Sequence, residues 1–393
     1  MKTSLKIVTL TLGALGCLAA PAMAQEPLVI GVASGQTGIL SPWDVGGRRG
    51  AEIAIEDINA RGGVLGRQLK LVVSDTKSDP SLGPTAASEV IAEGAEMVIV
   101  ACDYDFAAPA AMTAVGMGKI VFSTCAADPK FGAQGIGPTA YTMSLATNGQ
   151  GALLAEWAHG QKGWKTTYLM KDTAIEYTKS LCDHFETRWT ALAGADSIKG
   201  RDTWNGINDN SIAGQITRIK EVSGSVDFIM WCGFTNNGSL LRQLRSAGVD
   251  NPVVGSESMD GSHWIDAVPD LSNYYIAVYA SIFGNDPDPK IQAFMKRFQE
   301  KFGEAPPMGH VVTGYSAVEA YARAVEKAGS AESDKVKAAL DAFTNEELLI
   351  GATTYEPDLH INLKRPLLLM EMTNGKYAPI GRFSAQEVER PKF

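Results

Sequence analysis

Residues able to do chemistry gather in the short stretches that follow apolar runs. The turn Cys102-Asp103-Tyr104-Asp105-Phe106 follows Met97–Val100, and Ser123 to Ala127, which contains Cys125, follows Lys119–Phe122. Glu257 stands in Gly255-Ser256-Glu257-Ser258 after a further apolar run. Two carboxylates such as Asp105 and Glu257 could pass a proton to and from a substrate, the chemistry of a hydrolase. With Trp43, Tyr104 and Phe234 as aromatic walls, the same two acids would instead suit a cation, through charge pairing and cation–π contact. Asp103, Asp105 and Asp128 could converge on calcium, but scattered loop aspartates commonly cap helices or face water. No metal and no cofactor is expected.

Enzyme signatures are missing from the sequence. Its 5 histidines, His159, His184, His263, His310 and His360, form no H-E-x-x-H pair. There is no G-x-S-x-G elbow and no G-x-x-x-x-G-K-[ST] phosphate loop. Binding rather than catalysis is the expectation, and the hydrolase is the lesser alternative.

The N-terminus sets the compartment. Lys2 and Lys6 precede the uncharged run Ile7–Ala20, and Ala22-Met23-Ala24 has the small-x-small form of a cleavage site. A run of this length spans roughly 21 Å at about 1.5 Å per residue, short of the ~30 Å core of a bilayer. Residues 1–24 therefore read as a secretory signal, and the mature protein as periplasmic. Cys17 follows Ala14-Leu15-Gly16, which places Ala where a lipidation motif usually has Leu.

At 393 residues and 45% hydrophobic composition, the chain can bury the cores of about two domains. Its net charge of −9 argues against nucleic acid or anionic membrane surfaces as partners. Cleavage leaves Cys102, Cys125, Cys182 and Cys232 in an oxidising compartment, where four cysteines allow three pairings. Cys102 and Cys125 end two strand-like runs, so parallel pairing of those strands would bring them together. That leaves Cys182–Cys232 as the companion bridge, with four buried free thiols as the alternative.

Short apolar runs alternate with helical patterns, which is the rhythm of parallel sheets covered on both faces. Strands are expected at 28–33, 68–74, 96–100 and 119–122, with helices at 44–59, 81–93 and 106–116 between them. Ala51, Ile55 and Ile58 share one face of the first helix. A second series begins near Asn148. It has helices at 149–159, 174–192 and 239–247, strands at 165–170, 226–231 and 252–255, and an N-cap among Asp209-Asn210-Ser211 for a helix ending near Glu221. A strand at 274–281 and helices at 289–302 and 311–327 follow, then short strands at 352–355 and 367–372. No Ser/Gly-rich linker separates the two series, so crossing strands must join the lobes and leave a hinged cleft.

Several ordered motifs carry a resemblance. They are Ile30-Gly31-Val32-Ala33 with Thr37-Gly38, and Gly50-Ala51-Glu52-Ile53-Ala54 with Asp57-Ile58-Asn59-Ala60-Arg61-Gly62-Gly63-Val64-Leu65-Gly66. Asp75 through Ser78-Asp79-Pro80, Leu240-Leu241-Arg242-Gln243 before Gly248, and Gly314-Tyr315-Ser316-Ala317-Val318 before Glu326-Lys327-Ala328-Gly329 continue the series. From about Ile30 to Gly375 the chain resembles the branched-chain amino acid–binding family of periplasmic proteins. The resemblance implies an α/β, type I binding-protein fold of two doubly wound parallel-sheet lobes, lobe 1 at 25–146 plus 278–355 and lobe 2 at 147–277 plus 356–393.

It also implies a function: a monomeric solute-binding protein that captures a small amino acid, amide or amine by hinge closure and delivers it to a membrane ABC permease. A sensory module reporting to a membrane receptor is the alternative on the same fold. In residues, the resemblance makes Trp43 the aromatic that covers the ligand and Tyr177 a wall residue after the strand bearing Asp172. Phe234 becomes an aromatic lining the cleft, and Glu257 the partner of the ligand's ammonium group.

The departures bear on the ligand. Relatives have a Gly/Ser-rich turn that holds a carboxylate where this chain has Cys102 to Phe106, and either Tyr104 or Asp105 stands in the Ser place. Ala127 stands where the family often has a ligand-binding Thr. A ligand carboxylate about 4 Å from Asp105 would cost about 4 kcal/mol at an effective dielectric near 20, about three powers of ten in affinity. Either Asp105 points elsewhere or the ligand is not held there by a carboxylate.

Overall fold

Leu28–Ser34 is buried along its whole length because it is an inner strand of a parallel sheet, with a neighbour on either side. The structure, a computed structural model, describes residues 25–234 and 237–393. The expected signal segment, Cys17 included, lies outside the described residues.

The first series runs β1 (Leu28–Ser34), α1 (Ser41–Ala60), β2 (Leu69–Asp75), α2 (Gly83–Ala92), β3 (Ala95–Val100), α3 (Tyr104–Gly116), β4 (Ile120–Ser123) and β5 (Ala140–Thr142). Its strands form a parallel sheet in the order β2-β1-β3-β4-β5. The chain then crosses into α4 (Thr147–Gly160), β6 (Thr167–Asp172), α5 (Glu176–Ala193), β7 (Ile198–Trp204), α6 (Ala213–Val222), β8 (Phe228–Cys232), α7 (Asn237–Ser246), β9 (Val253–Gly255) and β10 (Tyr274–Val278). It returns for α8 (Pro289–Phe302), α9 (Val311–Ala328), α10 (Ser333–Asp341) and the hairpin β11 (Glu346–Leu348) and β12 (Gly351–Thr353). Finally β13 (Leu367–Thr373) and β14 (Lys376–Phe383) extend the second sheet, whose order is β14-β13-β10-β9-β8-β6-β7. Both added strands are antiparallel to their neighbours, an edge that the expectation of parallel sheets did not include.

α9 packs on α1 almost backbone to backbone. A Cβ at Gly50 would sit 2.0 Å from the Val311 carbonyl oxygen, and one at Gly314 would sit 1.8 Å from that of Gly47. Only glycine tolerates this approach, so two of the recurrent motifs have a packing origin. Each strand-to-helix series buries its apolar face against its own sheet, as doubly wound lobes must.

Three stretches cross between the sheets and bond to one another. Ala146 N–H donates to Asn362 O at 2.8 Å, and Tyr355 hydroxyl donates to Thr142 O at 3.1 Å. Tyr279 hydroxyl lies 2.6 Å from Ser144 Oγ and accepts the N–H of Leu145 at 3.0 Å. The crossings explain why β10 stops at Val278 rather than 281: Tyr279 has left the sheet to hold the neighbouring crossing.

The N-cap expected among Asp209-Asn210-Ser211 is not realised. α6 begins after Ile212 with no side-chain cap, and Asp209 instead closes a preceding turn by accepting the N–H of Asn205 at 2.8 Å. Both expected disulfides are present, Cys102–Cys125 between the turns after β3 and β4, and Cys182–Cys232 between α5 and the end of β8. The free-thiol alternative is therefore set aside. No described helix is long and apolar enough to cross a membrane.

Candidate functional site

The C-terminal ends of the strands in both sheets face one cleft, the place where doubly wound folds bind ligands. A buried aspartate organises the turns on each side. Asp44 accepts the N–H of Gly35 at 2.7 Å and of Cys102 at 2.8 Å, tying the turn after β1 to the turn after β3. Burial lifts its carboxyl to about 7. Asp172 accepts N–H groups from Ala174 at 2.9 Å, Gly206 at 2.8 Å and Phe234 at 3.1 Å, gathering three turns of the second sheet. Burial raises this carboxyl too.

Between these turns lies a cavity of about 30 Å³. Leu40, Trp43, Cys102, Asp103, Cys125 and Ala127 form one wall, from the first sheet's turns. Ile175, Tyr177, Phe234, Glu257 and Ser258 form the other, and His310, just before α9, completes it. The two walls meet where Trp43 stacks on Phe234, with ring centroids 5.3 Å apart at 29°. Such offset stacking joins the two walls through two large apolar faces. Tyr177 hydroxyl donates to Gln150 Oε1 at 3.0 Å and accepts the N–H of Glu257 at 3.1 Å, which fixes the loop that carries Glu257.

Glu257 is not alone in its pocket. His310 Nε2 lies 2.7 Å from Glu257 Oε1, and its Nδ1 lies 3.7 Å from Asp260 Oδ2. Asp260 is held in turn by the N–H of Gly309 at 2.5 Å. Burial alone would pull the imidazole down; the facing carboxylates of Glu257 and Asp260 outweigh it and hold His310 at about 10. Burial pushes Glu257 up and the imidazolium opposes that rise. The charge on His310 decides the state of the pair: a charged donor facing a buried carboxylate. A carboxylate has capacity for further donors beyond this one, so Glu257 can still receive a ligand's N–H group.

Of the residues expected at the site, Trp43, Cys125, Ala127, Tyr177, Phe234 and Glu257 stand on the cavity wall. Tyr104 and Asp105 do not. Asp105 Oδ2 accepts the N–H of Glu176 at 2.7 Å, the first residue of α5, so this carboxylate bridges the two walls outside the cavity. Tyr104, half-buried at the start of α3, lies beside Lys130, Asp128 and Glu176. The acid that lines the cavity is Asp103, the N-cap of α3, whose Oδ1 accepts the N–H of Asp105 at 2.9 Å. Burial first, then the nearby charges of Asp105 and Asp128, raise its carboxyl to about 8.

The three aspartates of the calcium reading each accept a backbone N–H, Asp128 that of Lys130 at 2.9 Å, and they form no group of metal-spaced donors among the described residues. Donor atoms of Glu257, Asp260 and His310 lie within 4.8 Å of one another, but a cation there would have to displace the His310–Glu257 contact. Cys102 and Cys125 are bonded to each other and offer no thiolate. The proton-passing pair of Asp105 and Glu257 is not assembled either, because Asp105 faces α5.

With this geometry in view, the similarities are informative. The sequence matches the periplasmic binding protein family over residues 27–376. The chain belongs to that family. A Pseudomonas aeruginosa leucine-, isoleucine-, valine-, threonine- and alanine-binding protein is 28% identical over 336 residues, covering 85% of this chain and 87% of that one. The Leu/Ile/Val-binding protein BraC3 of Rhizobium johnstonii is 27% identical, over 90% of this chain and 93% of its own. Among solved structures, the branched-chain amino acid transporter substrate-binding protein LivJ from Streptococcus pneumoniae, in complex with isoleucine, superposes with a TM-score of 0.79 at 22% identity, covering 91% and 99% of the two chains. A solute-binding protein from R. palustris in complex with benzoate gives 0.73 at 18% identity, covering 92% and 98%. As a periplasmic binding protein the chain is of an extracytoplasmic class, and its two-lobed architecture is that of the type I fold.

Several wall residues of this binding protein carried no sequence signal of their own. Leu40 and Ile175 are ordinary apolar residues placed by the helices that follow them. Ser258 sits beside Glu257. His310 is a lone histidine far along the chain from its partner, and only the packing of α9 brings them together.

Proposed function

We propose that this chain is the extracytoplasmic solute-binding component of an ABC importer, which captures a small amino acid, amide or amine in the cleft. The observation that carries this reading is a cavity built from both sheets' turns, with Trp43 of one wall stacked on Phe234 of the other. Contacts from both walls to one ligand exist only when the lobes are together, so ligand binding favours the closed state. Lobe 1 comprises 25–146 plus 278–355 and lobe 2 comprises 147–277 plus 356–393, a division supported by the crossings at Ser144–Ala146, Tyr279 and Asn362. Residues 1–24 act as the signal that exports it.

The apolar part of the ligand rests against Leu40, Ile175 and the aromatic pair, and its N–H group is directed to Glu257. The closed form docks, as a monomer, on a membrane permease. No reaction is assigned: His310 and Glu257 are paired with each other rather than poised against a nucleophile, and the names of the similar proteins describe binding.

A thermal-shift panel of the secreted chain against amino acids, amides, amines and aromatic acids tests this. A ligand at about 100 times its dissociation constant stabilises the fold by about 2.7 kcal/mol. One class should raise the melting temperature, and a strain lacking the gene should lose uptake of that class. No stabilisation by any class, or conversion of the ligand to product, refutes the reading.

A further inference from the structure

The turns and helix starts of the first sheet carry the backbone N–H groups with which such folds hold a carboxylate. In this chain the protein's own carboxylates hold several of them: Asp44 has the N–H of Gly35 and Cys102, and Asp103 has that of Asp105. Asp105 in turn reaches across to the N–H of Glu176, at the start of α5 in the second series. The disulfide from Cys102 to Cys125 fixes the same turn, so its donors cannot swing toward a new partner without breaking these bonds. Among the residues of this turn that line the cavity, the titratable one is Asp103, which is buried.

We propose that Asp103 is the specificity-determining residue of the cleft, selecting ligands that present an ammonium or amide N–H group at this end over ligands that present a carboxylate. This rests on the binding role proposed above and narrows its substrate class. Once Asp103 is ionised, above the value of about 8 at which burial holds its carboxyl, a ligand carboxylate about 4 Å away is disfavoured about a thousandfold at an effective dielectric near 20. An ammonium group is attracted by the same charge and finds a second carboxylate in Glu257.

The two ligand classes shift Asp103 in opposite directions. An ammonium group stabilises its ionised form and drives its proton off, so cation binding tightens as pH rises toward about 8, where burial holds the free carboxyl. A carboxylate ligand must share a proton with Asp103, so its binding weakens over the same range. The groups facing Asp103 are Asp105 and Asp128 on its own side, with Tyr104 beside it, and Tyr177, Glu257 and His310 on the other cavity walls.

The test is calorimetric titration of the secreted chain with leucine, leucinamide and 3-methylbutylamine at about pH 6 and about pH 8. At about pH 8 the amide or amine should bind at least about tenfold tighter than leucine, and the preference should narrow at about pH 6, with the amine tightening and leucine weakening as pH rises. Asp103→Ser keeps a good helix N-cap and should shift the ratio toward leucine by about tenfold or more; Asp103→Asn, also a good cap, should weaken the amine while leaving the melting temperature near wild type. Leucine as the tightest of the three, with a ratio unmoved by Asp103→Ser, overturns the proposal. Binding of acids alone from a wider panel overturns it while leaving the binding role intact, and binding of no small molecule at all overturns both.

Discussion

Asp105 Oδ2 accepts the backbone N–H of Glu176 at 2.7 Å, linking the start of α3 to the start of α5 across the cleft. The bond satisfies a helix-terminal donor with a carboxylate and so favours the closed form. Asp105→Ala should weaken all ligands by a similar factor, about fivefold to tenfold, whereas Asp105→Asn, which retains an acceptor, should stay near wild type. Titrations with one amine and one neutral ligand check this. A loss confined to the amine would return Asp105 to the ligand's own surroundings.

Phe234 meets Trp43 at 5.3 Å, and both rings are largely buried. Truncation to Ala removes the stacking between the two walls, an effect of about 2 kcal/mol from the stacked pair and the area it shields. Phe234→Ala should therefore weaken binding about thirtyfold, and Phe234→Tyr should restore most of it. Equal affinity in the Ala variant would show that the pair plays no part in closure.

The buried charges give the stability a direction with pH. His310 is held at about 10, above its ordinary 6.5, so the folded state binds this proton more tightly than the unfolded chain. That contribution is complete below about 6.5 and is lost as pH rises through about 10. Asp44 at about 7 and Asp103 at about 8, both raised from 3.8, lose theirs between about 4 and about 8. Melting temperature should therefore fall from neutral toward alkaline pH. In His310→Gln the fall above about pH 8 should be markedly shallower, and an unchanged slope would contradict the charged state of His310.

Cys182–Cys232 closes a loop with a sequence separation of 50 and ties α5 to β8 beneath the cleft wall. Chain entropy alone makes such a cross-link worth about 4 kcal/mol. Replacing both cysteines by Ala should lower the unfolding free energy by an amount near this, read as a lower midpoint in guanidinium unfolding. A midpoint unchanged from wild type would show that the bridge does not form in the secreted protein.

Much of the fold was legible because buried parallel strands are apolar along their whole length. β1, β3 and β4 were visible as uninterrupted runs, and α8 was placed at its observed ends. Besides the short, buried β5 and the helix α10, what escaped was the polar edges of the second sheet. β7, with alternating buried and exposed residues, pairs only with β6, and β14 pairs only with β13. A one-sided strand has no apolar run to announce it.

At the site, ordered motifs pointed to Trp43, Tyr177, Phe234 and Glu257, all of which stand on the cavity wall. The sequence left the place open between Tyr104 and Asp105 and did not point to Asp103, which lines the cavity instead, because the outcome depends on where α3 begins. With Asp103 as N-cap, its side chain folds back over the turn and Asp105 faces α5. His310 was hidden for another reason: its partner Glu257 lies in a different element, and no local spacing relates them.

The central claim is that one small ligand is enclosed between Glu257 and the Trp43–Phe234 pair without being altered. Calorimetric titration of the secreted chain with its best ligand, beside Glu257→Ala and Phe234→Ala and with the ligand recovered after prolonged incubation, tests it most directly. One site per chain, at least about tenfold weaker binding in each variant, and unchanged ligand are predicted. Binding indifferent to both substitutions, or ligand recovered as a product, would contradict the account.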